Sequence, residues 1–178
     1  MNKLSSMLLV ELLALSAACS DDSGVSAVNG KGGGTGTEPW REYCLEKINA
    51  YRATEGIKPL QKADAEKQKC TTNQAAQDLG KNSAHGHFGI CGEFAQNSGP
   101  NVSMGRYDSY ESIVDTYLEM MWNEKKLVES GERNPESSED YPYIGHYLNM
   151  KNARAAAVAC GIAVSSDGNT GWLNINFF

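Results

Sequence analysis

Near the C-terminal end, Val158, Cys160, Ile162 and Val164 alternate with Ala157, Ala159, Gly161 and Ala163. A strand with that pattern has no polar face, so both of its faces must be covered. The strand reads as Ala155–Val164, and Tyr143–Met150 and Trp172–Phe178 read as strands beside it. The turn-rich segment Ser166–Gly171 links the last two. Helices on both sides of such a sheet give an α+β fold, a three-layer α-β-α sandwich with a central, mainly antiparallel sheet.

The helices that could supply the outer layers lie upstream. After Pro39, the residues Trp40, Cys44, Ile48 and Tyr51 recur at helical spacing and Gly56 follows, which predicts a helix over residues 39–55. A second helix is expected over about 64–79, from Asp64 to Gly80, with Cys70, Ala75, Ala76 and Leu79 on its inward face. The third, 109–129, is preceded by Asp108, with Glu111 completing a capping-box pattern, and Gly131 lies beyond its end. Tyr110, Ile113, Val114, Tyr117, Met121 and Val128 form its apolar stripe, and Glu124 falls near the middle of that stripe. A carboxylate in such a place needs partners.

The first residues read as an export signal. Lys3 precedes the mostly apolar run Leu4–Ala18, which ends in small residues and is too short for a convincing membrane span; Glu11 alone interrupts it. Cys19 follows in Leu15-Ser-Ala-Ala-Cys19, which resembles a bacterial lipobox with Ser16 in place of the usual aliphatic residue. Residues 1–18 are therefore expected to be a signal peptide, and Cys19 a lipidation site through which the protein is held to a membrane. Ordinary signal cleavage and secretion is the alternative. From Cys19 to Thr37 the chain is Gly-rich and lacks aromatic residues, the composition of a flexible tether, leaving residues 38–178 as the domain. A net charge of −6 with scattered Lys and Arg offers no basic stripe for nucleic acid.

Candidate chemistry gathers in two places besides Glu124. His146 shares a face of its expected strand with Ile144, Leu148 and Met150, a polar group on an apolar surface. The stretch Ser83-Ala-His85-Gly-His87-Phe-Gly-Ile-Cys91-Gly-Glu93 holds two more histidines and a carboxylate; if extended, His85 and His87 point one way. A His-x-His step is a weak metal signal alone, but joined to Glu93, Glu124 and His146 it makes a plausible His/Glu cluster.

Four motifs, in order, carry a family resemblance: Asn49-Ala-Tyr-Arg52, Gly92-Glu93-Phe94, Trp122-Asn-Glu124 and Gly145-His146-Tyr147. Over about residues 41–178 the chain resembles the CAP superfamily of SCP-like domains, which includes cysteine-rich secretory, antigen 5 and pathogenesis-related 1 proteins. The resemblance implies a central cavity with two histidines and two glutamates, assigned to His85, Glu93, Glu124 and His146, with His87 as the competing first histidine. It departs from the family pattern at Phe94, where the family has Asn, and at Leu148-Asn149-Met150, which replaces Thr-Gln and an apolar pair.

In an exported chain Cys44, Cys70, Cys91 and Cys160 are expected to form two disulfides with three possible connectivities. The sequence does not choose among them; the expectation is Cys44–Cys70, joining the first two helices, with Cys91–Cys160, joining two strands. The function expected is that of a binding module of the cell envelope, lipid-anchored or secreted. Its His/Glu cleft would hold Zn²⁺ or another divalent cation, and an extracellular or lipid-like ligand. The alternatives are a metal-dependent hydrolase and a passive envelope or adhesion protein.

Overall fold

In the computed structural model, which describes residues 25–26 and 38–178, the first helix, α1 (Pro39–Ala53), begins with Pro in its opening turn, where a missing N–H costs nothing. It buries Trp40, Cys44, Ile48 and Arg52, one residue per turn. The expected signal segment, Cys19 and most of the tether lie outside the described residues. Within the segment expected to be a tether, Val25–Ser26 (β1) pairs antiparallel with Ser165 and Val164.

The remaining elements are β2 (Gln61–Lys62), α2 (Ala65–Lys81), β3 (Ala95–Ser103), a short 3-10 turn at Met104–Arg106, α3 (Tyr110–Asn123), α4 (Lys125–Glu129), α5 (Tyr141–Lys151), β4 (Ala157–Ser165) and β5 (Thr170–Phe177). The sheet runs β1-β4-β5-β3 with antiparallel neighbours, and β2 adds a short parallel ladder to β4. Helix α2 covers one face, and α1, α3 and α5 cover the other. This is the three-layer sandwich that the two-faced strand demands, and the interior of β4, from Val158 to Val164, is buried without a break.

The two layers differ in chemistry. Under α1, α3 and α5 the core is apolar, built on Ile48, Ile113, Leu118, Met121, Met150, Leu173, Ile175 and Phe177. Under α2 only a small cluster of Ala75, Ala163 and Trp172 is apolar, and the buried helix positions are Gln68, Thr71, Thr72, Gln74, Ala75 and Asp78. The expected inward face holds at Ala75, with Ala76 and Leu79 packed against that cluster, but most of the buried positions are polar and Cys70 is not among them. Cys70 is only half-buried, and side chains of Asn174, Asn176, Gln96 and Ser98 meet α2 from the sheet, directly or one residue removed. Gly161 permits the close approach: a Cβ there would stand 2.6 Å from the backbone of Thr71 and Thr72.

Three further expectations change. Residues 143–150 are not a strand but most of helix α5. Pro142 sits in the first turn, where proline favours helix, and Ile144, Tyr147 and Met150 bury themselves at intervals of three. The expected single helix 109–129 is two helices, capped by Ser109 with Ser112 rather than Asp108 with Glu111, and divided at Glu124. The disulfides are Cys44–Cys160, tying α1 to β4, and Cys70–Cys91, tying α2 to the following loop.

Candidate functional site

A cleft of about 550 Å³ opens between α5 and the chain from His85 to Gln96. Helix α5 presents Tyr141, Pro142, Gly145, His146 and Asn149 to it, residues three and four apart on one helical face. The opposite wall is His85, Phe88, Phe94 and Gln96. Phe88, Phe94 and Tyr141 keep 48%, 42% and 47% of their surface exposed, so the mouth is aromatic. Gly145 makes room for the Tyr141 ring, which would lie 3.1 Å from a Cβ, and that ring reaches past it to donate from its hydroxyl to Asn149 Oδ1 at 3.0 Å.

His146 is held firmly. Its Nδ1 lies 2.6 Å from Glu124 Oε1, while Glu124 Oε2 accepts the Tyr147 N–H at 3.1 Å. From the sheet, Asn97 Nδ2 donates to the His146 carbonyl at 3.0 Å. The carboxylate is an acceptor, so neutral His146 carries its proton on Nδ1 and leaves the Nε2 lone pair free. The break between α3 and α4 is what places Glu124 for this task. At the end of a helix its side chain reaches across to α5 instead of standing in the apolar stripe.

His85 occupies the other wall with φ of 60°, in the left-handed region that side chains other than Gly seldom adopt. Its Nδ1 lies 2.8 Å from Gln96 Oε1. The segment carrying it is a series of turns, so the condition under which His85 and His87 would point one way is not met and the two part company. His87 turns toward α2, where its Nδ1 and backbone N–H both reach Asp78 Oδ1, at 2.8 and 3.0 Å. Glu93 is buried and gathers the loop: Oε1 accepts from Gln74 Nε2 at 2.5 Å and Gly89 N–H at 2.6 Å, and Oε2 accepts from Cys91 N–H at 3.0 Å. The structure thus brings His85 and His146 to one cleft with Glu124 directly behind His146, and sets Glu93 beneath the loop. Among the described residues no group of three or more His, Cys, Asp or Glu side chains converges as a metal site.

The family model for the cysteine-rich secretory protein family, CAP, matches residues 45–178. The chain belongs to the CAP family. Solved structures share the fold of this CAP domain. The crystal structure of NaASP2 with Zn²⁺ aligns with a TM-score of 0.56 at 15% identity, covering 79% of this chain and 80% of that one. BmVAL-1 aligns at 0.57 and 18% identity, covering 82% and 79%, and Na-ASP-1 at 0.52 and 19%, covering 80% and 40%. No curated protein sequence matches the chain at a significant level.

Each motif of this CAP domain has a physical task. Asn49 exchanges hydrogen bonds with both backbone groups of Leu60, at 3.0 and 2.7 Å. Arg52, fully buried, donates to the carbonyls of Lys58, Met150 and Asn152 and so fixes the end of α5. Burial pushes its guanidinium below the usual arginine range. Trp122 stacks on Tyr51 and meets Tyr147 edge-on, centroids 5.2 and 5.1 Å away, which fixes the helix end that bears Glu124. The polar partners Gln74, Gln96, Asn97 and Asn176 carried no signal in the motifs above, and Asn149 stood there only as a departure from the family pattern. The Asn174/Asn176 alternation in β5 and the run Gln96-Asn97-Ser98 in β3 were the signals available for them.

Proposed function

We infer that this CAP domain is an exported binding module whose cleft receives an apolar or amphipathic extracellular ligand beside a divalent cation contacted by the Nε2 atoms of His85 and His146. In this reading Cys19 is lipidated and residues 19–37 tether the domain to the cell envelope. The observation that carries the cleft reading is that both imidazoles have Nδ1 engaged by an oxygen acceptor while the walls around them are aromatic. Histidines that ligate metals characteristically donate their other N–H to a carboxylate or carbonyl. The donor chemistry therefore fits an open site completed by water or ligand, as Zn²⁺ or a similar ion accepts, and does not fit a closed structural site. When bound, the ion would supply a Lewis-acid contact for a polar end of the ligand.

The hydrolase reading needs a carboxylate able to take a proton from water in the cleft. Both oxygens of Glu93 and both of Glu124 are already occupied by hydrogen-bond partners, which favours binding. Calorimetric titration of the purified domain with Zn²⁺, with lipid extraction and mass spectrometry of the same preparation, tests the proposal. Zn²⁺ should bind wild type and be weakened more than about tenfold by His85→Ala or His146→Ala. An apolar molecule should co-purify and be lost on Phe94→Asp. Zn²⁺ affinity indifferent to both histidine substitutions would overturn the cation half, and a cleft empty of apolar ligand the other.

A further inference from the structure

His85 has no carboxylate of its own, yet a continuous chain of side chains joins it to one. Gln74 Nε2 uses its two hydrogens on acceptors that cannot donate, Glu93 Oε1 at 2.5 Å and the His87 carbonyl at 2.7 Å. The amide is therefore oriented, and its Oε1 must face Asn176, whose Nδ2 donates to it at 2.7 Å. The same Nδ2 also donates to Thr71 Oγ1, whose own hydrogen is spent on the Lys67 carbonyl. Asn176 is thus oriented too, and its Oδ1 accepts from Gln96 Nε2 at 2.9 Å. That leaves Gln96 Oε1 as the atom 2.8 Å from His85 Nδ1, so the imidazole must be the donor. Gln74, Gln96 and Asn176 are all buried, so water does not compete for these groups.

We propose that Glu93 is a positioning residue for His85, setting its tautomer through Gln74, Asn176 and Gln96 so that Nδ1 holds the proton and the Nε2 lone pair is presented to the cleft. Reversing any one amide in the relay would put two donors or two acceptors face to face in the interior, a cost that propagates the polarity along its whole length. His146 receives the same tautomer directly from Glu124. The two glutamates would then do one job, one by contact and one across three amides. The tautomer is a property of the relay alone; only its use in holding a cation rests on the function proposed above.

Ring nitrogen chemical shifts, recorded on the uniformly ¹⁵N-labelled domain at a pH where the histidines are neutral, read this directly. In wild type His85 should show a protonated Nδ1 and an unprotonated Nε2. Gln96→Leu removes the acceptor and should return His85 toward the Nε2–H form that free histidine favours. Gln74→Met/Thr71→Val, which removes both acceptors of Asn176 Nδ2 and does not touch His85, should mix the two tautomers while leaving His146 unchanged, the signature a merely local hydrogen bond would not give. Asn176→Leu removes the middle amide without touching His85 and should mix the tautomers in the same way, so the proposal remains testable if the double variant does not fold. An Nε2–H tautomer in wild type, or no response to either Gln74→Met/Thr71→Val or Asn176→Leu, overturns the relay. Zn²⁺ titration of the same samples separates the readings: an Nδ1–H tautomer without Zn²⁺ binding leaves the relay standing and removes the cation, and Zn²⁺ binding with His85 indifferent to Gln74→Met/Thr71→Val and to Asn176→Leu does the reverse.

Discussion

Glu124 serves two elements at once, the ring of His146 and the backbone of Tyr147, and its removal would strand both partners in a partly buried place. Glu124→Ala is expected to cost about 1–3 kcal/mol. In a urea-unfolding double-mutant cycle with His146→Ala, the two losses should be coupled by at least about 0.5 kcal/mol. Simple additivity would show that the pair does not support the fold. Glu55 gives a second test at this scale. Burial alone would raise its carboxyl, but the Tyr147 hydroxyl, Lys125 and Lys151 together hold it below the usual range. A carboxyl depressed in the folded state stabilises fully above its unfolded pKa and loses that contribution as pH falls through the folded value. Glu55→Gln should therefore lower stability near pH 7 and make little difference at about pH 2–3, below the ordinary glutamate range. An equal penalty at both pH values would contradict the assignment.

Among the elements, the contact of α2 with β4 depends on the absence of a side chain at Gly161. Gly161→Ala forces backbone to move, since the new methyl would meet Thr71 and Thr72 at 2.6 Å, and should destabilise by about 1–3 kcal/mol in thermal or urea unfolding. A neutral outcome would mean that α2 is free to shift outward. The two disulfides close loops of different size, with sequence separations of 116 for Cys44–Cys160 and 21 for Cys70–Cys91. Loop-closure entropy puts their stabilisation at nearly 5 and about 3 kcal/mol respectively. The Cys44→Ser/Cys160→Ser variant should accordingly melt below the Cys70→Ser/Cys91→Ser variant. The shorter bridge has the more local effect, and without it amide exchange should rise in the turns carrying His85. At this scale sequence periodicity served well where burial is one-sided and apolar, as in α1. It failed at 143–150, because Ile144, His146, Leu148 and Met150 satisfy a two-residue period while Ile144, Tyr147 and Met150 satisfy a three-residue one. Pro142 favours the second reading, and packing on the Arg52 side chain fixes the end of that helix.

For the whole molecule, no helix of the described residues is long and apolar enough to cross a membrane. Lipidation of Cys19 remains the proposed means of attachment. Wild type expressed with its leader should partition into the detergent phase, and Cys19→Ser into the aqueous phase. Equal aqueous partitioning of the two would leave secretion without an anchor.

The sequence by itself determined the sandwich, because a strand apolar on both faces can be satisfied only by cover on both sides. It also marked Glu124 and His146 as groups needing a polar partner, because a titratable side chain among apolar neighbours is costly wherever the chain goes. Tertiary structure alone decided the rest. The cysteine pairing depends on which elements become neighbours, since three connectivities suit the same spacing. The separation of His85 from His87 depends on turns gathered by Glu93. The polar layer under α2 is stable only because Gln74, Asp78, Gln96, Asn174 and Asn176 meet in complementary orientations. Each residue is unremarkable in its own segment, and the free energy that places them belongs to hydrogen bonds between positions up to 105 residues apart.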